Sequence, residues 1–295
     1  MAGEAFHFYL GARKTMYLDD ESAGSLLLHN GSKWVAEPKI DGQWCCVFIK
    51  DCKVDKIISR WGKEKDDSTV DGLIGLPTGS VESAVLIGEL EAGTQVAVGM
   101  FGKFGYRRVH LFDVVQLCGG PTARFPYTTR RELLEDVFWK MPETTREQLL
   151  LVRSFKGEDT DFAELFREVI ANGGEGLMLK EKDSIYMPDN PTSKSRKFGK
   201  WMKAKKVLTK EFVVVREVAA EKGGRGAKLG LFVGGKLKEV MQMQLPPAVL
   251  DRCHAEGLFK KMVIEAKGNE EFKSGAIRHA NFLRVREGRP PESCK

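Results

Sequence analysis

The sequence predicts an α+β protein of two domains, a larger one of antiparallel sheets with flanking helices and a smaller β-barrel, and three observations lead there. The chain has 295 residues, about twice the usual domain size. Up to about residue 206 its apolar segments mix strand-like and helix-like spacing, whereas beyond Lys206 they are short strands around a single helix. Composition is globular, 42% hydrophobic and 30% charged with 31 Gly and 11 Pro, which excludes a disordered, collagenous or disulfide-built chain. The expected domains are residues 1–207 and 208–295.

In chain order, WVAEPKI, QWCCVFIK and KVDKIIS are apolar runs with short polar connections and a DG pair, the pattern of antiparallel strands. Further strands are expected at SAVLIGELEA and RVHLFDVVQL, and a helix at TTRRELLEDVFWKM. In DFAELFREVIANGG, residues Phe162, Leu165, Phe166, Val169 and Ile170 fall on one helical face. Asp161 can cap that helix, with Glu164 three residues on, and Asn172, Gly173 and Gly174 stop it. GLMLK returns to strand. Past Lys206 come EFVVVREV, then LGLFV and KLKEVMQMQ joined by the hairpin pair Gly234-Gly235. PPAVLDRCHAEG reads as a helix from proline to glycine, and KKMVIEAK and NFLRVRE as the last strands. Five strands with a helix between the third and fourth suit a small Greek-key barrel of the OB type.

The N-terminal residues mix acids and bases without a long apolar run, so no secretory signal is expected. No stretch approaches the roughly 18 apolar residues of a membrane span. The six cysteines form no CxxC pair and read as reduced thiols, without structural zinc. Cys253 and His254 read as packing or surface groups. The expectation is a soluble intracellular protein, cytoplasmic in a bacterium or phage and possible in a nucleus. Charge is concentrated: residues 180 to 210 hold ten lysines and arginines against Glu181, Asp183 and Asp189. That is a local +7 in a chain of net +6, so the remainder sums to −1. Such a cluster attracts phosphates, although a charge run alone also describes a solvated loop.

EPKIDG, Glu37 to Gly42, places a lysine and an aspartate on the same side of a strand before a glycine. An amine in a partly dry pocket near other cations loses its proton more readily, and a neutral amine is a nucleophile. Alone, K-x-D-G also reads as a strand ending in a DG turn. The order of later segments decides between these: Ser59-Arg60, GELEAG with Glu89, LFDVV with Phe112, GGEGLMLK with Glu175 and Lys180, and KWMKAKK with Lys203 and Lys205. Together they resemble the covalent nucleotidyltransferase superfamily of ATP-dependent DNA ligases, RNA ligases and mRNA capping enzymes. SGAIRHANFLRVREGRPPE is similar to the end of the OB domain of ATP-dependent DNA ligases, favouring DNA.

The resemblance implies a nucleotidyltransferase (adenylation) domain followed by the OB barrel, in a minimal two-domain form. It implies that Lys39 attacks the α-phosphate of ATP and holds AMP. Glu37 then matches the position that recognises the adenine amino group, and Phe112 the ring that stacks on the base. Glu89 and Glu175 match the acidic positions at the ribose and the divalent metal, Mg²⁺ or Mn²⁺. Lys203 and Lys205 would hold the α-phosphate, Arg60 would contact the phosphate of the nick, and Arg286 and Arg289 would orient pyrophosphate. The implied partner is nicked duplex DNA, bound by a monomer through its backbone; no partner protein can be inferred.

Two positions depart from the family. The arginine usual three residues past the aspartate is Trp44, and the closing R-x-D-K reads Arg286, Glu287, Gly288, Arg289. Arginine keeps the lysine's charge with a different, planar donor geometry. An RNA ligase, a guanylyltransferase, or a non-catalytic nucleic-acid-binding relative are the competing readings. Glu37 and RHANFLRVRE oppose the first two. Retention of Lys39, Glu89, Glu175, Lys203 and Lys205 opposes the third.

Overall fold

The computed structural model describes residues 15–18, 31–65, 70, 72–91, 108–187, 198–219, 224–268 and 271–295. Two compact units divide between Lys205 and Lys206.

The first unit contains two sheets. In the first, β1 (Thr15–Leu18), β2 (Trp34–Pro38), β9 (Phe155–Lys156), β10 (Gly176–Glu181) and β11 (Phe198–Lys205) lie in the order β1-β11-β10-β2-β9. In the second, β3 (Gly42–Lys50), β4 (Lys53–Ser59), β5 (Ala84–Glu91), β6 (Val109–Leu117) and β7 (Gly120–Pro121) run β4-β3-β5-β6-β7, and β8 (Leu149–Leu151) adds to β6. Helices α1 (Tyr127–Lys140), α2 (Glu143–Arg146) and α3 (Phe162–Ala171) complete the unit. Asp161 caps α3 by accepting hydrogen bonds from the backbone of Ala163 and Glu164 at 2.8 and 3.1 Å, as its place before an apolar-periodic run predicts.

Side-chain alternation creates three apolar layers. Cys45, Val47, Leu86, Leu90, Val109 and Leu111 of the second sheet pack against Leu134, Val137 and Phe138 of α1. On the outer side of the first sheet, Ala36, Leu177, Leu179 and Met202 pack against Phe162 and Leu165 of α3. The two sheets meet through Val35 and Trp201 on one side and Cys46, Val85 and Ile87 on the other, with Tyr127 and Tyr186. This last layer is the floor of the candidate site.

The second unit is one antiparallel sheet in the order β14-β13-β12-β15-β16. Its members are β12 (Leu208–Ala219), β13 (Arg225–Val233), β14 (Lys236–Gln244), β15 (Val263–Gly268) and β16 (Asn281–Val285). Helix α4 (Pro247–Ala255) sits between the third and fourth strands, giving the OB arrangement. Gly234 and Gly235 both have positive φ, +60° and +75°, the geometry of a tight hairpin turn that side chains resist. Phe212, Val214, Leu229, Leu250 and Ile264 fill the interior. Among the described residues, no helix is long and apolar enough to cross a membrane. All six cysteines are free thiols; Cys253 is buried, and the neighbouring His254 is exposed and bonded to Glu217 at 2.6 Å.

Candidate active site

The site grows from strand register. Across the first sheet, Val35, Lys180 and Trp201 lie in one row, and Glu37, Met178 and Lys203 in the next. Gly176 and Lys205 form a third. Since residues two apart share a face, all three rows face the second sheet, and their character changes from apolar at Trp201 to cationic at Lys203 and Lys205. Lys39 leaves the end of β2 with its backbone N–H donating to Gly176 O at 2.8 Å, which ties the Lys39 segment to β10.

The Lys39 and Lys205 ammonium groups both bind the Glu175 carboxylate, one on each oxygen. All three side chains retain only partial exposure, 19% for Lys39, 11% for Lys205 and 15% for Glu175. Across the cleft, Glu89 on β5 stands opposite Trp44 of β3 and His110 of β6. Burial pushes the Glu89 carboxyl up to about 7; Glu175 and Asp41 act in the same direction, and the positive charges of Lys39 and Arg60 oppose them. Lys39, Asp41, Arg60, Glu89 and Glu175 therefore form one electrostatic group.

Gly42 explains part of the EPKIDG segment. A Cβ there would stand 2.1 Å from Leu90 O and 2.8 Å from the Glu89 Cγ. The glycine is needed because β5 and Glu89 approach so closely, in addition to any turn preference.

Glu37 and Phe112 sit deeper. Glu37 is 2% exposed, and its carboxylate is held by Lys180 Nζ at 2.6 Å, by the Tyr127 hydroxyl and by Arg131 at 3.6 Å. Lys180 donates to Phe112 O at 3.1 Å and stands 4.6 Å from the Phe112 ring centroid. The two residues expected at the base are thus joined through a third. Sequence reasoning placed Lys180 in a motif without giving it a task, and it passed over Tyr127 and Arg131. It also passed over Arg130, whose Nε and NH2 donate to Asp113 at 2.8 and 3.0 Å with both side chains fully buried. Asp113 within the apolar run LFDVVQL was the available signal, since a carboxylate in a buried strand needs a counter-ion.

The basic stretch between 180 and 210 is not a uniform loop. Lys180 is buried, Lys182 pairs with Glu158, Lys200 pairs with Glu181 at 3.2 Å, and Lys203 and Lys205 face the cleft. Lys194, Arg196 and Lys197 lie outside the described residues. A separate cavity of about 540 Å³ is lined by Pro38, Ile40, Phe138, Trp139 and Leu151 among others, and by none of the expected nucleotide-contacting residues.

In the barrel, Arg286 Nε and Arg289 Nε donate to the two oxygens of Glu211 at 2.8 and 2.7 Å.

Comparison with known proteins agrees with this arrangement. Over 173 residues the chain is 30% identical to a DNA ligase of Methanothrix thermoacetophila, covering 55% of this chain and 28% of that protein. Over 214 residues it is 26% identical to a DNA ligase of Thermococcus fumicolans, covering 63% and 36%. The chain thus spans about a third of the length of these curated relatives. Among solved structures, one from a structure-function study of Lig E DNA ligases, on DNA binding with a minimal scaffold, superposes with a TM-score of 0.64 at 18% identity, covering 94% of this chain and 99% of that one. Mycobacterial DNA ligase D complexed with ATP and MES superposes with a TM-score of 0.51 at 20% identity, covering 90% and 92%. These likenesses show a shared fold over nearly the whole chain. The ATP-dependent DNA ligase domain profile matches residues 20–205, and the chain belongs to that family.

Proposed function

We propose that the protein is an ATP-dependent DNA ligase that seals nicks bearing a 5′-phosphate and a 3′-hydroxyl. The observation that supports the reading is the Lys39–Glu175–Lys205 bridge, which joins two lysine side chains through one carboxylate at one end of the cleft. In the first step, Lys39 Nζ bonds to the α-phosphorus of ATP as the bond to pyrophosphate breaks. We assign the proton that this amine must lose to Glu175, its hydrogen-bond partner. AMP then passes to the 5′-phosphate of the nick, and attack by the 3′-hydroxyl on that phosphate releases AMP. Each displacement builds negative charge on phosphate oxygens, so Lys203 and Lys205 can serve all three.

Glu37 and Phe112 are assigned to the adenine, Glu89 to the ribose and metal, Arg60 to the nick phosphate, and Arg286 and Arg289 to pyrophosphate. Among the described residues no three His, Cys, Asp or Glu side chains form a protein-only metal cage. Hard carboxylate oxygens such as those of Glu89 and Glu175 suit Mg²⁺ or Mn²⁺ held together with substrate phosphates, and an ion at Glu175 would have to displace Lys39 or Lys205, which occupy both of its oxygens. When bound, the ion would neutralise charge on those phosphates. We further propose that the protein acts as a monomer, and that it works in a reducing intracellular compartment, the second reading being supported by its free cysteines.

The test is intact mass after incubation with ATP and Mg²⁺, with a Lys39→Ala control. A gain of one AMP by the parent chain and none by the variant is expected. Normal labelling of the variant would remove the central claim. Labelling by GTP instead of ATP would indicate a capping enzyme, and sealing of nicked RNA alone an RNA ligase.

A further inference from the structure

The closing segment of the barrel lacks the aspartate of R-x-D-K, and the fold supplies a carboxylate from elsewhere. Glu287, the acidic residue within the segment, is turned onto Arg252. Gly288 follows with φ +68° and nothing near the position a Cβ would take, and the turn brings Arg289 to the same carboxylate as Arg286. That carboxylate is Glu211 of β12, 75 residues before Arg286 in sequence. Each arginine takes one of its oxygens through Nε. The clamp has a wall: Glu211 lies directly opposite Glu265 of β15, which binds Arg284 at 2.6 Å and stands 3.8 Å from Arg286 NH1.

We infer that Glu211 is a positioning residue for the reaction of Lys39 with ATP, holding Arg286 and Arg289 at a fixed spacing for pyrophosphate. The Arg286 and Arg289 side chains remain 34% and 48% exposed, so their outer N–H groups can meet phosphate oxygens. With one carboxylate between two guanidiniums the trio still carries a net positive charge. Two long side chains ordered before the anion arrives also lose less rotamer freedom on binding it. Burial pushes the Glu211 carboxyl up, but Arg289 and Arg286 more than offset this and hold it below the ordinary carboxylate range.

The inference rests on the reading of Arg286 and Arg289 as pyrophosphate contacts, so the experiment separates the two. In the full chain, Glu211→Gln, Glu211→Asp, Arg286→Ala, Arg289→Ala, the double-arginine variant Arg286→Ala with Arg289→Ala, and Glu211→Gln added to that double variant are compared. Three quantities are measured: the rate of Lys39 adenylation against ATP concentration, release of bound AMP by added pyrophosphate, and single-turnover sealing of a pre-adenylated nick. Glu211→Gln should slow adenylation and pyrophosphate-driven reversal by about tenfold or more while sealing stays within about twofold. Glu211→Asp keeps the charge on a side chain one methylene shorter, and should fall between. On the double-arginine background the substitution should add nothing, because its effect passes through those side chains. Slow adenylation in the arginine variants with normal or faster adenylation in Glu211→Gln would overturn the inference alone. Equal losses of adenylation and sealing in the arginine variants would overturn the pyrophosphate reading and the inference with it. A Glu211 variant that melts early and loses all three activities alike would assign Glu211 to folding, and the inference would fall.

Discussion

Lys180 Nζ lies 2.6 Å from Glu37 Oε2 with both side chains almost wholly buried, inside a box made by the rings of Phe112, Tyr127 and Trp201 at 4.5 to 4.7 Å. Burial lowers the lysine's proton affinity and Glu37 opposes that effect. Removing Lys180 leaves the buried Glu37 carboxylate with only the Tyr127 hydroxyl and the more distant Arg131 to offset its charge. Lys180→Met should therefore cost about 3–5 kcal/mol of unfolding free energy. Glu37→Gln added to Lys180→Met should recover part of the loss, because no buried charge is then left alone. Urea unfolding of the single and double variants measures both, and an additive double variant would contradict the account.

Gly42 gives a sharper local prediction. Gly42→Ala places a methyl group against the backbone oxygen of Leu90 and the side chain of Glu89. Overpacking of this kind costs about 1–3 kcal/mol. The displaced strand also carries the carboxylate assigned to ribose and metal. Adenylation should fall by more than the stability loss explains at a temperature where the variant is fully folded. A folded variant with parental labelling would limit Gly42 to the turn.

How legible this was in the sequence depends on the range of the interaction. Helix α3, its Asp161 cap and the Gly234-Gly235 hairpin arise from neighbours within a few residues, and periodicity and turn chemistry reveal them. The grouping of Lys39, Glu89, Glu175 and Lys205 could be anticipated only because their segments follow a family order. What stayed hidden depended on three-dimensional pairing. Lys180 belongs by sequence to a basic cluster that suggests solvent or phosphate, yet β10 turns it inward onto Glu37. Arg130 looks like the polar side of a helix, yet it is the counter-ion of Asp113. Glu211 lies in an ordinary strand, and only the return of β16 beside β15 brings the arginines within its reach.

Glu89 predicts a pH dependence with a definite sign. Its carboxyl titrates near 7 in the folded protein, against an ordinary value of 4.5. The unfolded chain therefore ionises first as pH rises above about 4.5. The penalty on the folded state grows from there to about pH 7 and is complete above it, reaching about 3 kcal/mol for a shift of this size. Glu89→Gln removes the titration, so its stability should exceed the parent's at pH 8 and match it more closely at pH 5. Melting curves across that interval, without nucleotide or metal, provide the measurement. A variant less stable than the parent at pH 8 would show that the ionised carboxylate is stabilised by Lys39 and Arg60 beyond its cost of burial.

Salt dependence distinguishes the lysines that can meet DNA from the one that cannot. Each phosphate neutralised by a protein cation contributes about −0.9 to the slope of log affinity against log salt on duplex DNA. If about four cations from Arg60, Lys203 and the 194–206 stretch engage the backbone, affinity for a nicked duplex should fall roughly a hundredfold between 50 and 200 mM salt. Lys203→Ala should reduce the slope by about one unit, and exposed Lys200, paired at the surface with Glu181, should act the same way if the strand end lies on the DNA. Lys180 carries the same formal charge within the same basic stretch, but at 1% exposure it cannot reach a phosphate. Lys180→Met, compared at a temperature where it is folded, should leave the slope unchanged even if overall affinity drops. Anisotropy titrations of a labelled nicked duplex at several salt concentrations give these slopes directly. A flat salt response in the parent protein would remove phosphate neutralisation as the basis of binding, and a reduced slope in Lys180→Met would mean that the buried pair opens on DNA.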